Sequence, residues 1–450
     1  MKAVVFIPGI LGTEMLSSSG EKLWPPKPLE AQFGYGRVDK LLGDDVRHGD
    51  IIEKVLCFDV YAPILEQFAE LGFQKTGTDK RLYPFPYDWR CDLEHTAGLL
   101  ASRLDSVDAD GATDIFLVAH SMGGLVTRLV LEPDTYRARP WFEKIRSFIA
   151  LAVPHQGAPL ALARVLGLDS TLGISKKDFR KLSNDVRYPS GYQLLPAPNE
   201  SACWNKADLA VGAVNIYDTA IAQRLGLNTS LVERARFVHD SLDHGSAPAH
   251  VRYFFFAGTG HETVTRVNVL ERGGAYPTEE MVLTRTEDAG DGTVPFWSAL
   301  PGAVQKQVVV NEHSGVFRGM PFKRVFYRLL GGDLGVPLEG LGLCDEAEPP
   351  RLSMPTPVIH ANRPFELLLV PASPIPKIAG TLLLQRLKED GTPAPNAAEP
   401  VSTIVYEGPR VSRLRLELPP VATAGFYELR FEGTPAASQP VRFAVAAIPN

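Results

Sequence analysis

The sequence predicts an α/β domain built on a mostly parallel sheet, followed by a smaller all-β domain. Three observations carry this. Short runs that are apolar on both faces recur up to about residue 332, helical patterns separate them, and the composition changes after Gly332. Strands buried on both faces need helices on two sides, which is how parallel sheets are covered.

The elements follow in chain order. Residues 4–7 read as a buried strand that begins at once. Residues 60–71 and 92–104 place apolar side chains at helical spacing, with Asp92 as an N-cap. Residues 114–119 form a second apolar run and enter a helical pattern over 123–131. Residues 147–153, 251–257 and 304–310 are further runs of strand length. The stretch 160–243 breaks the rhythm with short helical pieces, and reads as a lid insertion or an extra packed helical layer. Beyond residue 344, helical spacing gives way to alternation, and 17 of the 37 prolines fall in 345–450. Residues 413–418, 427–431 and 441–445 each alternate as half-buried strands, which predicts an immunoglobulin-like β-sandwich. The expected domains are therefore 1–344 and 345–450, with the junction near residues 346–350.

Composition excludes several classes. The chain has 450 residues, 45 % hydrophobic and 22 % charged, with a formal charge of −6. Nucleic-acid affinity rests on clustered Lys and Arg, so a polyanion partner is not expected. No apolar run approaches the roughly 18 residues that span a bilayer. The opening apolar run is too short for a signal peptide and breaks at Pro8, and a cytoplasmic protein is expected. Cys57, Cys91, Cys203 and Cys344 are widely separated, with no C-x-x-C pair. Free thiols are expected, with no disulfide framework and no metal site. No phosphate-binding loop, dinucleotide fingerprint or H-E-x-x-H occurs, so no cofactor is predicted.

The strongest chemical signal is Ala119-His120-Ser121-Met122-Gly123-Gly124, set between a strand and a helix. A sharp strand-to-helix turn exposes a serine hydroxyl only if small residues flank it at two positions' distance. Ala119 takes the place usually held by Gly. Serine needs a base, itself oriented by an acid, and in the hydrolase fold these follow in the order acid, then histidine. Gly290-Asp291-Gly292 supplies the acid in a tight loop, with Asp288 as its rival, and His313 follows the last apolar run. Two backbone N–H groups must face the developing oxyanion. Met122, after the nucleophile, and Ile10, in the Pro8–Gly12 loop after the first strand, are the candidates. His120 and His155 read as neighbours that shape the site rather than act as bases.

These motifs resemble the lecithin:cholesterol acyltransferase family, which includes lysosomal phospholipase A2. The matching pieces are Pro8-Gly9-Ile10-Leu11-Gly12-Thr13, Leu23-Trp24-Pro25, Pro86-Tyr87-Asp88-Trp89-Arg90, the Ser121 elbow, Tyr192-Gln193-Leu194-Leu195-Pro196, Gly290-Asp291-Gly292-Thr293-Val294-Pro295 and His313. They occur in the family's order and cover about residues 1–330. The C-terminal β region is outside the family's usual core. The resemblance implies an α/β-hydrolase fold and a serine-dependent lipid acyl-ester hydrolase or O-acyltransferase. It implies Ser121 as nucleophile, Asp291 as acid, His313 as base, and Ile10 and Met122 as oxyanion donors. It also implies that residues 87–90 hold a loop near the site and that Trp24 touches lipid or lies in the core. Its partner is a lipid or other acyl-ester substrate, compatible with transient contact at a membrane surface; a partner for the C-terminal domain is not indicated. Two readings stay open beside this one: a small-ester carboxylesterase or thioesterase, and a vestigial hydrolase domain that serves as a binding module.

Overall fold

The computed structural model describes all residues except 28–29, 31–33, 56–57, 172, 208–211, 302–304, 333–348, 355, 357, 372–373, 389, 396, 435 and 448–450. Two compact units emerge. One comprises Met1–Pro25, Arg37–Glu53 and Val60–Gly332, and the other Pro26–Gly36, Lys54–Asp59 and Asp333–Asn450. The expected junction at residues 346–350 falls largely outside the described residues.

The first unit is organised by six strands: β1 (Lys2–Ile7), β2 (Lys80–Pro84), β3 (Asp114–His120), β4 (Ile145–Leu151), β5 (Arg252–Thr259) and β6 (Gln305–Val310). Their order across the sheet is β6-β5-β4-β3-β1-β2, and every pairing is parallel. Val4, Phe6, Phe116, Val118, Ile149, Leu151, Phe254 and Phe256 pack on one face with helices α1 (Ala62–Glu70) and α4 (Met320–Leu329). Phe68 of α1 meets Phe326 of α4 at 5.7 Å, and Phe256 meets Phe322 at 4.7 Å between ring centroids. The alternate residues Val5, Ile7, Ile115 and Leu117 are buried as well. Helix α2 (Leu93–Ala109) is capped by Asp92, whose side chain accepts from the Glu94 amide, and it packs on α3 (Met122–Leu131). Helix α3 in turn lies against β1, β3 and β4. The α/β architecture is therefore the one expected, and among the described residues the central sheet is wholly parallel.

Among the described residues, 160–243 hold helices Lys176–Ser183, Ser190–Gln193, Thr219–Arg224 and Thr229–Asp240 and one short strand, Cys203–Asn205. That strand pairs with His261–Val269, which forms an antiparallel hairpin with Val282–Gly290. Leu160, Leu166, Leu195, Leu231, Val264, Val267 and Met281 share one buried cluster, so these helices and the hairpin pack around a common interior. No described helix is long and apolar enough to cross a membrane.

The second unit holds a three-stranded and a five-stranded sheet. Leu352, Leu367, Leu369 and Leu418 from the first sheet bury against Ile378, Leu382, Leu429, Phe431 and Phe443 from the second. Two sheets sharing one interior make a sandwich. The three alternating segments read from sequence lie in Leu414–Leu418, Gly425–Thr434 and Val441–Ala446. Tyr427 Oη donates to Thr423 O at 2.9 Å and pins the chain where it enters its strand.

Candidate active site

Ser121 sits in the one-residue junction between β3 and α3, with φ 51° and ψ −128°. A non-glycine residue there costs on the order of 1–3 kcal/mol, which the surrounding structure must supply. It is supplied from both sides. Ser121 N donates to Leu151 O at 2.9 Å, and Ser121 O accepts from Gly124 N at 2.9 Å. All ten residues of α3 are buried, and Arg128 within it is paired with Glu132 at 2.7 Å. At Gly123 a Cβ would lie 2.4 Å from Pro8 O, so only glycine lets the helix start pass beneath the loop after β1.

His313 follows β6 in a short 3₁₀ turn. Its Nε2 is 2.9 Å from Ser121 Oγ, and its Nδ1 is 2.8 Å from Asp291 Oδ2. The second carboxylate oxygen of Asp291 accepts from Thr293 N at 3.0 Å and Val294 N at 2.8 Å. His313 N also donates to Asp291 O at 2.9 Å, so the acid and base loops are joined through backbone as well as side chain. The Asp291 side chain is 0 % exposed and that of His313 is 18 % exposed, which leaves the imidazole edge open. Asp288, the rival acid, turns its backbone carbonyl to Thr259 Oγ1, and the imidazole partner is Asp291.

The loop after β1 is clamped in several places. Tyr87 Oη donates to Pro8 O at 2.8 Å, Trp89 Nε1 to Thr13 O at 3.1 Å, and Trp24 Nε1 to Leu11 O at 2.8 Å. Asp88 and Arg90 form an ion pair at 2.6 Å, and Arg90 also donates to the Leu41 and Val46 carbonyls. Tyr87 and Trp89 therefore hold this loop, while Asp88 and Arg90 tie their own segment to residues 41 and 46. A Cβ at Gly9 would come 2.8 Å from Ser121 Cβ, so the loop backbone lies directly against the nucleophile candidate. Gly9 N is taken by Tyr61 Oη at 2.8 Å. Among the described residues, no hydrogen bond engages the Ile10 or Met122 amide. Met122 opens α3, where the helix dipole favours negative charge.

Trp24 requires a correction. As a substrate contact it would need an open face, but it is 1 % exposed and stacked edge-on to Trp89 at 6.0 Å. Its role in the structure is to support the Leu11 carbonyl. His155 is buried and stacked on Phe255 at 4.1 Å, and burial holds its pKa well below the usual histidine value. The sequence marks His120 as a neighbour within the elbow and does not single out Tyr61, yet both lie in hydrogen-bond contact with the site loops. The position of His120 inside the elbow was the available signal. Tyr61 carried none, since it sits at the start of an apolar helical pattern.

Residues 52–254 match the family model described as lecithin:cholesterol acyltransferase. Over this segment the chain is similar to that family. The lecithin:cholesterol acyltransferase match spans Tyr61, residues 86–90 and Ser121, and ends before Asp291 and His313. An uncharacterised protein of Saccharomyces cerevisiae is 26 % identical over 242 residues, which are 51 % of this chain and 34 % of that protein. The chain thus spans about a third of the length of the curated relative it matches. Among solved structures, a chain of the Tle4-Tli4 complex aligns with a TM-score of 0.51 at 12 % identity, covering 71 % of this chain and 96 % of that one. This likeness shows the fold. The mature lipase BlEst2 of Bacillus licheniformis aligns with a TM-score of 0.37 at 15 % identity, over 73 % of this chain and 91 % of its own.

Proposed function

We propose that this protein is a serine-dependent lipid acyl-ester hydrolase or O-acyltransferase that works through an acyl-serine intermediate. The observation that carries the reading is the unbroken line from Asp291 through His313 to Ser121, at 2.8 and 2.9 Å. His313 Nε2 takes the Ser121 proton as Oγ attacks the ester carbonyl carbon, and Asp291 stabilises the imidazolium that forms. The carbonyl oxygen becomes an oxyanion and receives the Ile10 and Met122 N–H groups. Collapse breaks the ester C–O bond, and the leaving alcohol departs with the proton from His313. Water or a second alcohol then attacks the acyl-serine, with His313 again as base. The lipid character of the substrate is supported by the lecithin:cholesterol acyltransferase family match.

The test is direct. A fluorophosphonate should label wild-type protein at Ser121, and Ser121→Ala should lose labelling and lower p-nitrophenyl ester turnover about a thousandfold or more with the fold retained. Long-chain esters should be turned over faster than acetate. Undiminished turnover in purified Ser121→Ala overturns the acyl-serine reading, and a preference for acetate overturns the lipid substrate.

A further inference from the structure

A second hydrogen-bond line runs behind the first. Gly9 N donates to Tyr61 Oη at 2.8 Å, Tyr61 Oη lies 2.9 Å from His120 Nδ1, and His120 Nε2 lies 3.0 Å from His313 O. Every proton along it can be assigned. A carbonyl only accepts, so His120 Nε2 carries a hydrogen. Burial, with the charge of His313 second, lowers the His120 pKa to about 3, so the ring is neutral and its Nδ1 accepts. Tyr61 must then donate its hydroxyl hydrogen to Nδ1, and its oxygen is left to accept from Gly9. Burial raises the Tyr61 pKa, which keeps it a phenol. The rings support the same arrangement. Tyr61 stands edge-on to His120 at 5.5 Å, His120 lies 4.8 Å from the His313 ring, and Phe317 stands edge-on to His120 at 5.8 Å.

This line joins three segments that come from distant parts of the chain: the loop after β1, the elbow itself and the loop after β6. The geometry points to His120 and Tyr61 as positioning residues that hold the oxyanion loop and the His313 loop in register with Ser121. The inference rests on the acyl-serine reading above. It gives Gly9 a defined task, because turning the Gly9 N–H onto Tyr61 leaves the next amide, Ile10, for the oxyanion. It also explains why a neutral ring is needed at 120. A second cation 4.8 Å from His313 would oppose the imidazolium that forms during acylation.

The experiment compares Tyr61→Phe, His120→Asn and His120→Gln with wild type in fluorophosphonate labelling and p-nitrophenyl ester kinetics. Asn sets an amide near the Nδ1 position and keeps the Tyr61 contact. Gln sets one near Nε2 and keeps a donor to His313 O. Tyr61→Phe and His120→Asn should each lower kcat and the labelling rate about tenfold, the rate equivalent of one neutral hydrogen bond, with KM nearly unchanged. His120→Gln gives up the Tyr61 contact and should match Tyr61→Phe, and combining the two should cost no more than either alone, a non-additivity that a purely packing role would not predict. Wild-type labelling rates in both Tyr61→Phe and His120→Asn overturn the inference. A second measurement needs neither turnover nor a folded variant. ¹⁵N NMR of histidine-labelled wild type should find His120 as the neutral Nε2–H tautomer from about pH 8 to about pH 5. An Nδ1–H tautomer, or titration in that range, overturns the inference. Failure of wild type to label at Ser121 would instead sink the acyl-serine reading, while the NMR result still decides the hydrogen-bond line.

Discussion

Asp291 presents one oxygen to His313 and the other to two backbone amides, and this division predicts what an isosteric change does. In Asp291→Asn the carbonyl oxygen can still accept from Thr293 N and Val294 N, so the loop keeps its shape. The amide group then faces His313 Nδ1 and donates to it. That forces the hydrogen onto Nε2, where it can no longer accept from Ser121. Turnover should fall about ten-thousandfold with little change in thermal stability. Measuring kcat beside the melting temperature checks both halves, and a loss below tenfold would show that Asp291 does not set the tautomer. These three residues were legible in the sequence because the chemistry restricts both residue type and chain order. In sequence Trp24 stands between lipid and core for a physical reason: a tryptophan carries enough apolar surface for either, and only its burial beside the Leu11 carbonyl decides between them. Tyr61 was illegible because its hydroxyl matters through partners more than 50 residues away in sequence.

At the scale of elements, α3 is a fully buried helix that contains a cation, whose charge is paired with Glu132 and whose other N–H groups reach His155 O and His244 Nδ1. Arg128 and Glu132 are 2 % and 0 % exposed, with two contacts at 2.7 and 2.8 Å. Arg128→Met would leave a buried carboxylate uncompensated, a loss of about 3–5 kcal/mol. Burial already holds the Glu132 pKa above the usual carboxylate value, and removing the guanidinium raises it further. A carboxyl whose folded pKa exceeds its unfolded one binds a proton on folding. Its contribution is most favourable below the unfolded value and is lost as pH rises through the folded one. Urea melts should therefore show a smaller deficit near pH 5 than near pH 8, and a deficit independent of pH would contradict this. The elements differ in legibility for equally physical reasons. β3 and α3 were plain because an uninterrupted apolar strand runs into an amphipathic or apolar turn of helix. β2 was missed since Lys80-Arg81 open a short strand at the sheet edge, where one flank needs no apolar cover. The hairpin His261–Val269 with Val282–Gly290 was missed because threonines stand between the valines that face the interior, Val264, Val267 and Val269. Thr263 and Thr265 are buried as well, so polar letters stand at buried positions and hide the apolar pattern.

For the whole molecule, the two units have separate interiors, and the candidate site belongs entirely to the first. Its nucleophile follows β3, its acid follows the hairpin after β5, and its base follows β6, so the site exists only when strands from both halves of that unit are docked. All five tryptophans, at positions 24, 89, 141, 204 and 297, also lie in the first unit. Tryptophan fluorescence therefore reports the unfolding of that unit alone, whereas the far-ultraviolet signal contains the sandwich as well. Trp24, Trp89 and Trp141 are fully buried, which makes the emission sensitive to loss of the interior that carries the loop clamps. Fluorophosphonate labelling of Ser121 should disappear over the same urea range in which the emission shifts to the red. The far-ultraviolet transition is free to differ. If labelling is lost well before the fluorescence changes, the arrangement of Asp291, His313 and Ser121 is maintained by a locally weak segment rather than by the cooperative core, and the loops after β1 and β6 become the places to look for it.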